Sequence, residues 1–231
     1  MEPKMEPKME LKMATKSTPP PERIIKKICF IMNNISECNL KRQVDEVMSI
    51  MSPHFTRWLA ESILERVTSE PKLHELYAEF VNLTSVHCNN FCNFILEMLT
   101  REIDQILSVA SLDQSSGKVL KYLGGFLGRL TLARDIHLCV DLKYLIYKAY
   151  KTDPPSLDYI VPFICEILKT TKYSSTLKLT DPWVKGVLQV LKELHHVTDK
   201  LSIQFEVELL FSFLECNMKD INSSFYLRKT N

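Results

Sequence analysis

From Pro21 onward, apolar residues recur at spacings of three and four, and this helical spacing dominates over the period-two alternation that a sheet needs. That periodicity confines the fold to packed amphipathic helices. Five prolines, Pro53, Pro71, Pro154, Pro155 and Pro182, stand where helices begin. Pro162 is the exception, inside DYIVPFICEIL, where a kink is expected. The pattern predicts helices near 22–33 and 40–51, and a third that opens at SPHF with Ser52 as cap. A fourth lies in EPKLHELYAEFVNL, with others near 88–109, 116–133, 141–151, 155–171, 183–197 and 203–216. Leu177–Thr180 reads as a loop. Consecutive amphipathic helices with short polar connections form antiparallel hairpins, and stacked hairpins make an α-solenoid of about five pairs. A globular bundle of the same helices is the alternative.

The stretch KYLGGFLGRL holds three of only five glycines in 231 residues. A phosphate-cradling loop would need those glycines after a strand and at a helix start. Here Leu120, Leu123, Leu127 and Leu130 keep helical spacing through them, and Ser115-Ser116-Gly117 reads as a cap and first turn. Gly124 and Gly128 therefore share one helix face. A mid-helix glycine costs roughly 0.5–1 kcal/mol against alanine, and a close helix–helix approach is the compensation.

The first 21 residues repeat EPKM and end in STPPP, too few apolar groups to offset the entropy of ordering. Residues 1–21 are thus expected to be a disordered tail, 22–221 the helical domain and 222–231 a C-terminal tail. The leader lacks the apolar core of a secretory signal, and no apolar run reaches the ~18–20 residues of a membrane span. A formal net charge of +1 gives no field toward nucleic acid or anionic lipid. Lys41-Arg42 and Lys169 with Lys172 are scattered and balanced by acids, so direct RNA binding is disfavoured. The seven cysteines, Cys29, Cys38, Cys88, Cys92, Cys139, Cys165 and Cys216, are odd in number and mostly set among apolar residues, as reduced thiols would be.

His87, Cys88 and Cys92 hint at a metal, but a structural zinc site wants a second ligand pair that the sequence lacks. His195-His196 point in different directions. Cys139 with His137 and Asp135 or Asp141 is the one arrangement that resembles a nucleophile and base, with no oxyanion-hole motif beside it. Glu61 and Glu65 read as a solvated helix face. No catalytic residue, cofactor or metal is expected. A rigid helical surface that binds proteins remains, with Phe55, Trp58, Tyr77 and Trp183 as aromatics to weigh between core and contact.

Seven blocks carry a specific likeness: PPERIIKKICFIMNNISECNLKRQVDEV, RVTSEPKLHELYAEF, KVLKYLGGFLGRLTLARD, DLKYLIYKAY, LDYIVPFICEIL, DPWVKGVLQVLKELH and LSIQFEVELLF. In that order they closely resemble the central domain of the large scaffold subunit of the Ccr–Not deadenylase complex, over about residues 20–221. That domain belongs to the class named after the middle domain of translation initiation factor 4G. The resemblance implies a HEAT-type solenoid of five repeats with no enzymatic activity. It implies docking of a Caf-type deadenylase nuclease and of a DEAD-box RNA helicase whose ATPase is stimulated, together with other Ccr–Not subunits where flanking domains exist. Poly(A) shortening, mRNA decay and translational repression would follow, in the cytoplasm including mRNA-decay granules, with the nucleus as a second compartment.

For the helicase, the family pattern implies an arginine and then an apolar residue after a proline at one inter-repeat corner. These match Arg66 and Leu73, with Tyr77 one turn further on; the family often has an aromatic where Leu73 stands. An exposed arginine can bond a partner's carboxylate or carbonyl, or it can favour its own helix C-terminus; both readings stand at this point. The scaffold subunit is normally a much longer chain, so a short natural form and an excised domain are both compatible with residues 1–231. The alternative function on the same architecture is a translation-initiation-type scaffold for an initiation-class DEAD-box helicase.

Overall fold

The computed structural model describes residues 19–109, 112–152 and 154–228. Most of the expected N-terminal tail, residues 1–18, lies outside these ranges. Ten α-helices and no strand occur among the described residues. They are α1 (Glu22–Asn33), α2 (Leu40–Ile50), α3 (Thr56–Ser69), α4 (His74–His87), α5 (Phe91–Ser108), α6 (Gln114–Leu130), α7 (Leu142–Thr152), α8 (Pro154–Lys169), α9 (Pro182–Val197) and α10 (Leu201–Phe213).

Each helix packs on its sequence neighbour to form five hairpins: α1–α2, α3–α4, α5–α6, α7–α8 and α9–α10. The second helices, α2, α4, α6, α8 and α10, then contact one another in order to form one continuous layer. Contacts of α3 with α5 and of α7 with α9 build the opposing layer. This is a solenoid and not a closed bundle, because contacts run between adjacent repeats. One apolar core threads the array, from Ile28 and Val44 through Phe80, Phe126 and Ile164 to Leu191 and Val207.

The helix starts depart from the sequence reading in two places. Ser52 makes no capping bond. Pro53 instead opens a single 3-10 turn, with the Phe55 amide donating to the Ser52 carbonyl at 2.9 Å, and α3 begins at Thr56. The cap of α6 is Asp113 and not the serines: its Oδ1 accepts from the Ser116 amide at 2.7 Å, so the helix starts at Gln114. A carboxylate outbids a hydroxyl there because it also complements the helix dipole. α8 continues on both sides of Pro162.

The glycines of α6 do face a neighbour, and it is α8. A Cβ on Gly124 would lie 2.6 Å from Phe163 Cδ2 and 2.8 Å from the Phe163 carbonyl oxygen. One on Gly128 would lie 2.5 Å from Thr170 Oγ1 and 2.9 Å from the Ile167 oxygen. Gly117 continues the same stripe against the Tyr159 ring.

Two acidic residues tie loops to this frame. Asp135, at a left-handed φ of 63°, receives the Ser175 and Thr176 amides at 2.9 Å and the Ser174, Ser175 and Thr176 hydroxyls. These bonds, led by the Ser174 and Ser175 hydroxyls, hold its carboxyl well below the usual carboxylate range. A depressed pKa means stabilisation that is present above the unfolded carboxylate pKa and lost as pH falls toward the folded one. Asp135→Asn keeps the left-handed backbone, which asparagine tolerates. It is expected to lower Tm at pH 7, and the gap to wild type should close on acidification below about pH 4, read from thermal melts of both proteins.

The second is Glu193 on α9, only 1% exposed. Its Oε2 accepts from Ser224 Oγ at 2.5 Å and from the Tyr226 and Leu227 amides at 2.7 and 3.2 Å. Next to it, Lys192 Nζ donates to the carbonyls of Met218 and Ile221 at 2.9 and 2.7 Å. Residues 222–227, within the segment read as a C-terminal tail, thus lie against α9, with Leu227 fully buried.

Candidate functional site

The corner between α3 and α4 is built from the sequence SEPKL. Pro71 forces a 3-10 turn, Pro71–Leu73, in which the Leu73 amide bonds the Glu70 carbonyl at 3.0 Å. Leu73 is left 39% exposed at the apex. Arg66, in the last turn of α3, sends Nη2 to Asn33 Oδ1 at 2.8 Å and Nη1 toward Glu70 Oε1 at 3.6 Å. The arginine therefore reaches side chains on α1 and on the corner, not the carbonyl end of its own helix.

Tyr77 lies one turn into α4 and is fully buried. Its hydroxyl donates to Glu70 Oε2. Burial, and then that carboxylate, push the phenol up to about 12. The structure thus brings Arg66 and Tyr77 together through Glu70, while Leu73 alone of the three presents an apolar surface. His74, beside Leu73, is buried with Nε2 2.8 Å from the Val67 carbonyl. A carbonyl only accepts, so Nε2 carries the proton, and burial lowers the pKa of this neutral ring.

Asn33 and Glu70 are the corner residues that sequence reasoning missed. The spacing of four between Arg66 and Glu70 was a local signal; Asn33, thirty-three positions upstream, left none.

The other candidates resolve into structural roles. Cys139 is exposed, Asp135 is spent on the 174–176 loop, and His137 stands edge-on to Trp183 at 6.1 Å. Among the described residues no hydrogen bond joins Cys139 to His137, Asp135 or Asp141. His87 faces Asp45 at 3.2 Å, and Cys92 receives Arg134 Nη1 at 3.5 Å. No group of three or more His, Cys, Asp or Glu side chains suited to a metal occurs among the described residues. No described helix is long and apolar enough to cross a membrane. Phe55, Trp58 and Trp183 are half-buried, the two tryptophans against the core.

A stack of five helical hairpins, with a polar-braced corner and no assembled reactive groups among the described residues, defines a HEAT-type interaction domain. Over residues 16–231 the chain matches the family described as the CCR4-NOT transcription complex subunit 1 CAF1-binding domain, and it belongs to that family. It is 35% identical over 226 residues to the CCR4-NOT transcription complex subunit let-711 of Caenorhabditis elegans, covering 91% of this chain and 8% of that protein. It is 28% identical to the general negative regulator of transcription subunit 1 of Saccharomyces cerevisiae, over 90% of this chain and 10% of the relative. The Schizosaccharomyces pombe protein of the same name is 29% identical over 88% of this chain. The chain spans a tenth or less of the length of these relatives.

Proposed function

We propose that this domain docks a CAF1-type deadenylase as a rigid, non-enzymatic support within a CCR4-NOT assembly, in poly(A) shortening and mRNA decay in the cytoplasm. The observation that carries this reading is the family match across residues 16–231. Five stacked hairpins with one continuous core supply the stiff surface such docking needs. Calorimetric titration of the protein with a purified CAF1-type deadenylase is the test. Saturable one-to-one binding is expected; no binding at tens of micromolar by a folded domain overturns the reading and favours the initiation-type scaffold.

A DEAD-box helicase is the second proposed partner, seated at the α3–α4 corner and leading to translational repression. Leu73 supplies the exposed apolar contact, and Arg66, held by Asn33 and Glu70 in the free domain, exchanges those bonds for charge-assisted ones to the partner. Tyr77, being buried, acts as a positioning residue that orients Glu70 and so Arg66. Arg66→Ala should weaken helicase binding roughly tenfold, the scale of one charge-assisted hydrogen bond, and lower ATPase stimulation while deadenylase binding is unchanged. Equal stimulation by the variant and wild type removes this corner from the helicase contact.

A further inference from the structure

α7 carries charge of one sign only. Its sequence, LKYLIYKAYKT, holds three lysines, three tyrosines and no acid. Leu142, Ile146 and Ala149 are buried, and helical spacing puts Lys143, Tyr144, Tyr147, Lys148, Tyr150 and Lys151 on the opposite arc. Tyr144 is 54% exposed, and Lys148 and Lys151 are exposed on the same side. Lys151 Nζ lies 5.8 Å from the ring centroids of both Tyr147 and Tyr150. Ammonium groups and rings thus alternate along about 12 Å of helix.

The face extends beyond α7. Tyr226, in the segment docked on α9, meets the Tyr147 ring edge-on at 5.9 Å. Its phenol is raised by burial and then by the nearby Asp141, Tyr147 and Tyr144. Phe225, its neighbour in the chain, is left 74% exposed. On the other flank the Lys143 ammonium lies over α9, 4.0 Å from where a Cβ on Gly186 would stand, and the exposed Lys185 adjoins that glycine. The lysine ion pairs among the described residues use other lysines, so Lys143, Lys148, Lys151 and Lys185 keep their charges uncompensated. Asp141, the acid at the edge of the face, caps α7 by taking the Tyr144 amide at 3.1 Å.

We infer that this lysine–tyrosine face of α7 and α9 binds single-stranded RNA. Proteins hold single strands with cationic groups along the phosphates and aromatic rings on which successive bases stack. Both are present here and interleaved, with ammonium groups close enough to the rings for cation–π attraction. An acidic protein segment would use the lysines and leave the exposed rings without a role. Duplex RNA keeps its bases paired and stacked, so it offers no free base faces to the tyrosines. The formal net charge of +1, which disfavoured RNA in the sequence, averages over the whole chain and hides this local segregation. RNA is also what the assembly of the reading above shortens, but the inference does not need the nuclease to dock.

The test is fluorescence anisotropy of a labelled oligoadenylate of about 20 nucleotides, titrated with the full 231-residue protein over a series of salt concentrations. The variants are Tyr144→Ala/Phe225→Ala and Lys148→Ala/Lys151→Ala. Lys41→Ala/Arg42→Ala removes the same charge from α2 and serves as the control. All of these side chains are exposed, so the fold does not depend on them. Saturable wild-type binding is expected, with a loss of at least about tenfold in the aromatic variant, the scale of one stacked base. In Lys148→Ala/Lys151→Ala the slope of log affinity against log salt should fall by about 1.4, at about 0.7 per phosphate contact. The α2 variant should keep both affinity and slope. No wild-type binding at about 100 μM, the weak end of non-specific affinities, overturns the assignment. Equal losses in the α2 and α7 lysine variants overturn it too, because the contact would then be diffuse charge. So does a duplex that binds as tightly as the single strand, since stacking would contribute nothing. An oligoglutamate peptide that binds more tightly than the oligoadenylate makes the face an acidic-protein site and likewise overturns it. Each of these outcomes leaves the deadenylase reading standing.

Discussion

Gly124→Ala and Gly128→Ala should each lower stability by about 2–3 kcal/mol, the upper range for overpacking a well-packed interior, whereas Gly125→Ala should be neutral or stabilising. All three substitutions remove a mid-helix glycine and gain roughly 0.5–1 kcal/mol of helix propensity. The sign is decided by what the new methyl meets. At 124 and 128 the obstacles include backbone oxygens of α8, 2.8 and 2.9 Å from the added carbon, and a carbonyl in a helix cannot rotate away. α6 and α8 must part by several tenths of an ångström, along the contact that joins the third and fourth repeats. At 125 the nearest atoms are His74 Nδ1 at 3.5 Å and a Glu166 oxygen at 3.7 Å, ordinary contact distances. For a domain of this size the expected Tm loss at 124 or 128 is roughly 5–10 °C, read by thermal melts. A loss at 125 equal to that at 124 would mean that α6 tolerates no side chain on any face, and the interface account would fail.

This stripe also shows what the sequence discloses. Periodicity through KYLGGFLGRL was enough to reject a phosphate loop and to foresee a close neighbour. It could not name α8, because the partner lies some forty residues away and helix pairing leaves no local trace. Gly117 joined the stripe only in the structure. Helix existence was legible almost throughout, since each apolar face has to be buried. Helix starts were not, because Ser52 and Asp113 compete with proline-driven 3-10 turns and neighbouring hydroxyls on differences near 1 kcal/mol. At the corner, Arg66 and Leu73 could be placed, but Tyr77 turned inward: Glu70 accepts its hydroxyl, which makes a buried tyrosine affordable. The outer face of α10 was hidden for a different reason. LSIQFEVEL alternates apolar and polar residues, a pattern that does not say which apolar side chains a helix buries, and only the terminal place of α10 in the layer exposes Phe205 and Phe213.

Glu193→Ala is the second large effect, and its size follows from two competing ways of failing. With the carboxylate gone, the Leu227 amide loses its acceptor and the Tyr226 amide loses the shorter of its two, the 3.4 Å bond to Ser224 Oγ remaining. Leaving them buried costs about 1–3 kcal/mol each. The segment can instead peel away and let water satisfy them, at the expense of re-exposing Leu227 and Ile221, which are 0% and 6% exposed. A fully buried leucine or isoleucine is worth about 1.5–3 kcal/mol, so undocking both caps the loss near 3–6 kcal/mol. Lys192, bonded to the carbonyls of Met218 and Ile221, keeps the nearer half of the segment attached. The expected result is therefore a loss of about 2–4 kcal/mol, with amide exchange accelerated at 224–227 far more than at 218–221. Glu193→Gln keeps an acceptor for the amides and should cost less than half as much. Uniform exchange across 218–227 in Glu193→Ala would show that the segment lets go as one unit, and that Lys192 holds nothing by itself.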